Sequence, residues 1–99
     1  MTTESSTAPH QEAVEAPPRG DGTPEPDVLD YPTGHKPVLE IAVAGRWCLA
    51  IVRQRLRFPD GSTAYTVTLD PGTGRHEART YWWPLGMRVK FVPDSAPAL

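Results

Sequence analysis

Residues 46–58, RWCLAIVRQRLRF, constrain the fold most strongly, because this is the longest stretch of the chain that contains neither proline nor glycine. Side chains two apart along a β-strand share a face. The second half of the stretch alternates arginine with other residues, and so predicts a strand with Arg53, Arg55 and Arg57 on one face. We expect these guanidinium groups in a row, with neighbours about 6.5–7 Å apart. The other face then carries Val52, Leu56 and Phe58.

Four shorter segments also alternate apolar with polar residues between prolines and glycines, as short strands do. They are residues 38–43, 62–70, 75–83 and 87–92. Turn chemistry is strongest at residues 58–61 (FPDG) and recurs at residues 70–74. No segment places apolar residues at helical spacing. The pattern predicts an all-β domain of five antiparallel strands, a meander that curls into a small barrel, with Tyr65, Val67 and Leu69 among its inward residues.

In outline, this arrangement resembles the small barrels of the SH3-like and OB types. The resemblance concerns shape only, because the chain carries neither an SH3-type signature nor an RNP-type aromatic motif. It implies a framework for the chain and no function.

The two ends of the chain have the composition of disordered tails. Residues 1–34 combine six prolines with many acids and few large apolar residues, although Leu29 and Tyr31 could dock on the domain. We predict a disordered tail there, a domain over residues 35–92 and a second tail over residues 93–99. A domain of this size buries only about 60% of its unfolded surface. Because the chain has a single cysteine, which excludes an internal disulfide, we expect a homodimer or a protein partner to stabilise it.

The net charge of −2 conceals an asymmetry between tail and domain. Residues 1–34 carry seven acids against one arginine, whereas residues 35–92 carry nine basic residues against four acids. This separation indicates an anionic partner, or a tail that screens the basic surface of its own domain. The alternative is that the acidic tail only keeps a marginal domain in solution.

The sequence carries no motif for catalysis or for a cofactor. It has no histidine or cysteine spacing of the kind that holds zinc, and Cys48 lies in an apolar run where a thiol is inert. Gly72 and Gly74 precede a strand and not a helix, so they lack the context of a phosphate-binding loop. We therefore predict a non-enzymatic protein without metal, cofactor or small-molecule substrate. The start MTTESSTAPH is unlike a secretory signal and no apolar run could span a bilayer, so we expect a cytoplasmic protein without a membrane partner.

Two groups of side chains are the candidate binding surface. The first is basic: the arginine row of residues 53–57, and a second outward row of Arg88 and Lys90 between inward-facing neighbours. Those inward neighbours are Met87, Val89 and Phe91. The second group is the exposed face of residues 75–83, with Arg79, Tyr81 and Trp83 outward and Ala78, Thr80 and Trp82 inward. Alternatively, Trp83 folds over the end of the barrel, and the arginines form an ordinary solvated strand face.

Three functions are compatible with this sequence. The first is an interaction module that binds a protein partner, or a second copy of itself, through a basic and aromatic strand face. The second is nucleic-acid binding, with arginines on phosphates and Tyr81 or Trp83 stacked on bases. The third is a structural subunit of a larger assembly.

Overall fold

The computed structural model describes residues 11–16, 24–69, 76–97 and 99, and this part of the chain contains six antiparallel strands and no helix. The strands are β1 (Asp27–Asp30), β2 (Val38–Val43), β3 (Arg46–Arg57), β4 (Thr63–Leu69), β5 (Glu77–Trp82) and β6 (Met87–Phe91). The prediction of an all-β fold is confirmed. Strands β2 to β6 are the five segments that alternate in sequence, and β1 is an additional strand from the predicted tail.

Strand β3 is the centre of the sheet, at 12 residues the longest strand. One of its edges pairs with β4, and the other is shared by β2 along its first half and β1 along its second half. The link between β1 and β2 also stays on β3, because Tyr31 N donates to Arg53 O (3.0 Å) and Val52 N donates to Pro37 O (2.9 Å). A long strand, apolar in its first half and basic in its second, thus pairs with three neighbours along its two edges.

A β-bulge interrupts β3 at Arg53. The register against β4 shifts there, so that Val52 lies opposite Val67 and Arg55 lies opposite Tyr65. Residues directly opposite each other share a face, and Val67 and Tyr65 are two apart on β4. Val52 and Arg55 therefore lie on the same face, whereas the sequence predicted them on opposite faces. One extra residue reverses the alternation of everything that follows it.

Two hairpin turns flank β3. The β2–β3 turn is Ala44–Gly45, with φ values of 55° and 76°. The β3–β4 turn contains Gly61 at φ 92°, and there Asp60 Oδ1 accepts hydrogen bonds from Ser62 N (2.9 Å) and Ser62 Oγ (2.6 Å). These bonds hold the pKa of Asp60 below its usual range. The turn predicted at residues 58–61 is confirmed, and that predicted at residues 70–74 falls outside the described residues.

The sheet is curled but open. Its strand order is β5-β4-β3-β2-β6, so β5 and β6 are the two outermost strands, yet only residues 83–86 connect them. Four strand spacings in a flat sheet would separate these edges by about 19 Å, more than the roughly 17 Å that the connection spans when fully extended. The sheet must therefore bend towards itself. No strand pairing joins β5 to β6 in the described part of the chain, so the predicted barrel closure is not seen.

The hydrophobic core lies on the inner face of this curled sheet. Its ten buried residues come from every strand except β1, together with the residue that follows β1. They are Tyr31, Leu39, Ile41, Ala50, Val52, Tyr65, Val67, Leu69, Tyr81 and Met87. We call this surface the core face and the opposite one the outer face.

Parts of both predicted tails pack on the domain. Tyr31 is 2% exposed within the core, and Leu29 packs partly buried beside it. At the other end of the chain, His35 Nδ1 is hydrogen-bonded to Ser95 Oγ, and Leu99 packs partly buried against the core. Residues 1–10 and 17–23 of the predicted N-terminal tail lie outside the described residues.

Candidate interaction surface

The predicted arginine row is split by the bulge. Arg53 is the extra residue of the bulge and is exposed, Arg55 is half-buried on the core face, and Arg57 is exposed opposite Asp27 of β1 and Thr63 of β4. Only Arg55 and Arg57 continue the alternation expected of a row. The structure therefore does not assemble three equivalent guanidinium groups on one solvent-facing surface.

Arg55 contributes to the core and not to a free surface. Its guanidinium hydrogen-bonds the side chain of Tyr31, and it lies opposite Tyr65. Burial raises the pKa of both tyrosines, and the positive charges of Arg55 and Arg57 partly offset that rise. This small cluster lies beside the half of β3 that pairs with β1.

Arg53 and Lys36 border a shallow polar depression of about 300 Å³. Its lining also includes Asp30, Tyr31, Gln54 and Thr66. Lys36 is engaged there, because its Nζ donates to Tyr31 O (2.8 Å). Beside it, Gln54 Nε2 donates to Asp30 Oδ1 (2.7 Å). The depression is thus a mixed-charge site with no strong preference for an anion.

On β5, the predicted exposure of Tyr81 is wrong. Tyr81 lies opposite Tyr65 and is only 4% exposed, because the β4–β5 register puts both tyrosines on the core face. Trp82 is on the outer face, half-buried at 5.3 Å from the Phe58 ring. Trp83 is half-buried, with its ring edge-on to Tyr65 at 5.5 Å, which is closer to the alternative in which it folds over one end of the sheet.

The remaining candidate cations are largely neutralised within the chain. Arg79 is paired with Glu77 (2.6 Å) and more distantly with Glu15 (3.6 Å). Arg88 Nε lies 2.8 Å from Glu40 Oε1, and its guanidinium stacks 4.0 Å above the Trp47 ring. Arg79 and Arg88 thus belong to separate ion pairs and do not form one continuous basic face.

Lys90 is exposed on β6, at a second register shift. Leu39 lies opposite Val89 and Val38 opposite Phe91, so Lys90 is the extra residue between them. The shift moves Phe91 to the outer face, and because β6 is an edge strand Val89 is also exposed. The sequence predicted both of these residues inward, and the second bulge and the open edge are the reasons that it failed.

The surface that the sequence did not single out is an apolar strip on the outer face. Across the sheet, Phe91 lies opposite Val38, and Val38 lies opposite Ile51. Leu49 is two residues from Ile51 and shares its face. The exposed fractions of Leu49, Ile51 and Phe91 are 59%, 45% and 58%. These exposed apolar side chains are contiguous across three strands.

A shallow depression of about 470 Å³ continues this apolar strip towards β4. It is lined by Val38, Leu49, Ile51, Thr68, Leu69 and His76. The signal for it was in the sequence: residues 47–52 are apolar at every position, which leaves alternate side chains without a place in a single core. Leu49 and Ile51 of the strip belong to the outer half of that run.

Comparison of the chain with protein-family models, with curated proteins and with solved structures gives no match. Within the described residues, no cluster of three or more His, Cys, Asp or Glu side chains could hold a metal ion. Nor does that part of the chain contain a helix long and apolar enough to cross a membrane.

Proposed function

We propose that this protein is a non-enzymatic interaction module that binds an extended segment of a partner protein along β6 and the apolar strip. The observation that carries this proposal is the exposure of Leu49, Ile51 and Phe91 on one face of a small sheet whose core lies on the other face. A partner that covers these residues gains the hydrophobic free energy that the folded chain leaves unused.

The open edge of β6 supports a strand-like partner. Ala42 N donates to Gly86 O (2.8 Å), so in the regular part of β6 alternate residues bond to β2. By this alternation Val89 directs its N–H and C=O away from β2, towards the open edge of the sheet. An extended peptide could pair there and place a side chain on Phe91, as in other cases of strand addition, and could then continue across the outer face over Ile51 and Leu49, whose strand lies two strands in from this edge.

The charges next to this edge favour an acidic partner over a second copy of the chain. If two β6 strands paired antiparallel around Val89, Arg88 of one copy would lie opposite Lys90 of the other. Like charges directly opposite each other destabilise a strand pair. A partner segment that alternates apolar with acidic residues would cover the strip and offer a carboxylate to Lys90, whereas Arg88 is already paired with Glu40.

We also propose that the framework is a partly open relative of the SH3-like or OB-like barrels in outline. What supports this is the curled order β5-β4-β3-β2-β6, in which a four-strand meander is followed by a strand that returns beside its first member. In such a framework the open edge and the outer face of β3 remain accessible at the same time.

Nucleic-acid binding is a weaker proposal for this chain. Of the two aromatic rings expected to stack on bases, Tyr81 is in the core and Trp83 is half-buried against Tyr65. Arg79 and Arg88 already contact carboxylates. Phosphates would have to displace these carboxylates. A pull-down from the native host with and without nuclease separates the two proposals, because only nucleic acid-dependent capture is lost on digestion.

The proposed function can be tested with a displayed library of random linear peptides selected on the full chain. We expect enriched peptides to alternate apolar with acidic residues, and to lose binding to Leu49→Asp and Ile51→Asp variants. A matched control is Thr66→Asp, on the same outer face but beyond the strip, which should bind like the wild type. Peptides without this pattern, or binding that survives both substitutions in the strip, would overturn the proposal.

A further inference from the structure

A second surface already holds an extended peptide, and that peptide belongs to the chain itself. Residues 12–16 (EAVEA), here called the N-terminal strap, run antiparallel to the outer edge of β5, with Glu15 opposite Tyr81. Ala16 N donates to Thr80 O (2.9 Å), and Trp82 N donates to Val14 O (2.8 Å). The strap therefore extends the sheet beyond β5.

The strap also contacts the far side of the sheet. Ala13 N donates to Ala42 O (2.8 Å), and Ala13 packs partly buried against the core. Because Ala42 belongs to β2 and the other strap bonds are to β5, these few residues lie across the gap between the two sides of the curled sheet. The groove that they fill is bounded by the β5 edge, the end of β2 and the 83–86 connection.

The first glutamate of the strap occupies a backbone anion site. The Glu12 carboxylate accepts from Ala44 N (2.7 Å) and Gly45 N (2.8 Å), one oxygen to each amide. The two residues have φ values of 55° and 76°, and this unusual pair of left-handed residues aims successive N–H groups at one carboxylate. A backbone site of this kind recognises the carboxylate, whichever chain supplies it.

Two further features define what fits the groove. Arg79 receives the second glutamate, Glu15, three residues after the first, at 3.6 Å. Gly86 leaves room for the backbone of the strap, because a Cβ at that position would lie 2.7 Å from the Ala13 Cα. The groove thus selects an extended segment with carboxylates three residues apart and a small residue after the first.

We propose that this groove is a binding site for an extended acidic segment of a partner protein, of the form Glu-small-x-Glu, and that the strap is its intramolecular occupant. The strap buries little surface. Glu12, Val14 and Glu15 are exposed, and the two alanines, Ala13 and Ala16, are only half-buried. Covalent linkage compensates for this, because a tethered segment has an effective concentration in the millimolar range. The site is independent of the apolar strip on the outer face.

The test uses the full chain and a labelled peptide with the sequence of residues 9–18 as a stand-in for the partner segment. The Glu12→Gln/Glu15→Gln chain keeps the groove but weakens its internal occupant. We expect this variant to bind the peptide at least about tenfold more tightly than the wild-type chain, in which the tethered strap competes. A peptide with glutamine at both glutamate positions should not bind, and an Asp94→Asn chain should behave like the wild type.

Chemical-shift changes at the Ala44 and Gly45 amides of the double variant would place the peptide in the groove. Gly86→Ala provides a second variant, because its Cβ fills the space of the bound backbone; with folding verified by circular dichroism, it should bind no peptide. Equal affinity of the wild type and the double variant, or absence of binding to the double variant, would overturn the proposal. Concentration-dependent dimers that the double variant abolishes would assign the groove to a second copy, and would also overturn it.

Discussion

Arg55 lies directly opposite Tyr65 on the core face of the sheet and hydrogen-bonds the side chain of Tyr31. This places one of the three arginines of β3 in a structural role. Its neighbour at the bulge, Arg53, is exposed and joins only the rim of a shallow depression. The two arginines therefore have different consequences for stability, although in sequence they look equivalent.

Replacing Arg55 by alanine should destabilise the fold by about 1–3 kcal/mol, because the Tyr31 hydroxyl loses its partner in a buried position. Arg53→Ala should change the free energy of unfolding by less than about 0.5 kcal/mol, as exposed substitutions generally do. Urea unfolding of the two variants and the wild type measures both. Equal losses would show that the bulge does not separate the two side chains as described.

The three tyrosines predict how stability depends on alkaline pH. Burial raises the pKa of Tyr31, Tyr65 and Tyr81 above the ordinary value of 10.0. The unfolded chain consequently releases these protons at lower pH than the folded chain, so the free energy of unfolding falls as pH rises. We expect a constant melting temperature between about pH 7 and about pH 9, and a steady decrease above that range. Tyr31→Phe should make the decrease shallower, and a melting temperature unchanged up to about pH 11 would contradict the burial of these hydroxyls.

The positions of the strands could be predicted because alternation is a local signal. Tyr65, Val67 and Leu69 alternate without interruption along β4, and all three are buried as expected. The FPDG turn could likewise be read locally, since each residue supplies its own backbone preference. Strand existence and turn position thus follow from residues close in sequence.

The faces of the strands depended on partners distant in sequence. Tyr81 and Trp83 belong to a run of three aromatics, and only the register against Tyr65 determines which of them enters the core. The bulges at Arg53 and Lys90 carry no signal in the residues themselves, yet each reverses the faces that follow. For this reason the candidate surface in the structure is the apolar strip and not the arginine row that the sequence predicted.

The additional strand and the N-terminal strap were missed for a related reason. Both are short and acidic, and each is held mainly by backbone hydrogen bonds to an edge that the rest of the fold provides. Composition indicates that such segments cannot fold alone. It does not indicate that a sheet edge will bind them.

Alanine substitutions at Gly86 and Gly34 distinguish the loss of strap docking from the effect of ordinary backbone strain. Both have positive φ values, 65° and 85°, so alanine at either position carries the same kind of conformational cost, about 1–2 kcal/mol. Only at Gly86 would the new Cβ meet the backbone of Glu12 and Ala13; at Gly34 it meets nothing within 4 Å. We expect Gly86→Ala alone to expose the Ala13 and Ala16 amides to hydrogen exchange. Equal exchange rates at these amides in both variants would show that the strap does not dock in the groove.

The same substitution, isoleucine to alanine, at one core position and one strip position tests the distinction between the core and the apolar strip. Ile41 on β2 is fully buried, so Ile41→Ala should cost about 2–5 kcal/mol through lost burial and the cavity left behind. Ile51 on β3 is 45% exposed on the outer face, so Ile51→Ala should cost less than about 1 kcal/mol while weakening the binding of the apolar and acidic peptides proposed above. Denaturant unfolding gives the first quantity and peptide titration the second. We expect the effect on unfolding at Ile41 and the effect on binding at Ile51. A variant at Ile51 that unfolds as easily as the one at Ile41 would place Ile51 in the core, and the outer face would then lack a docking surface.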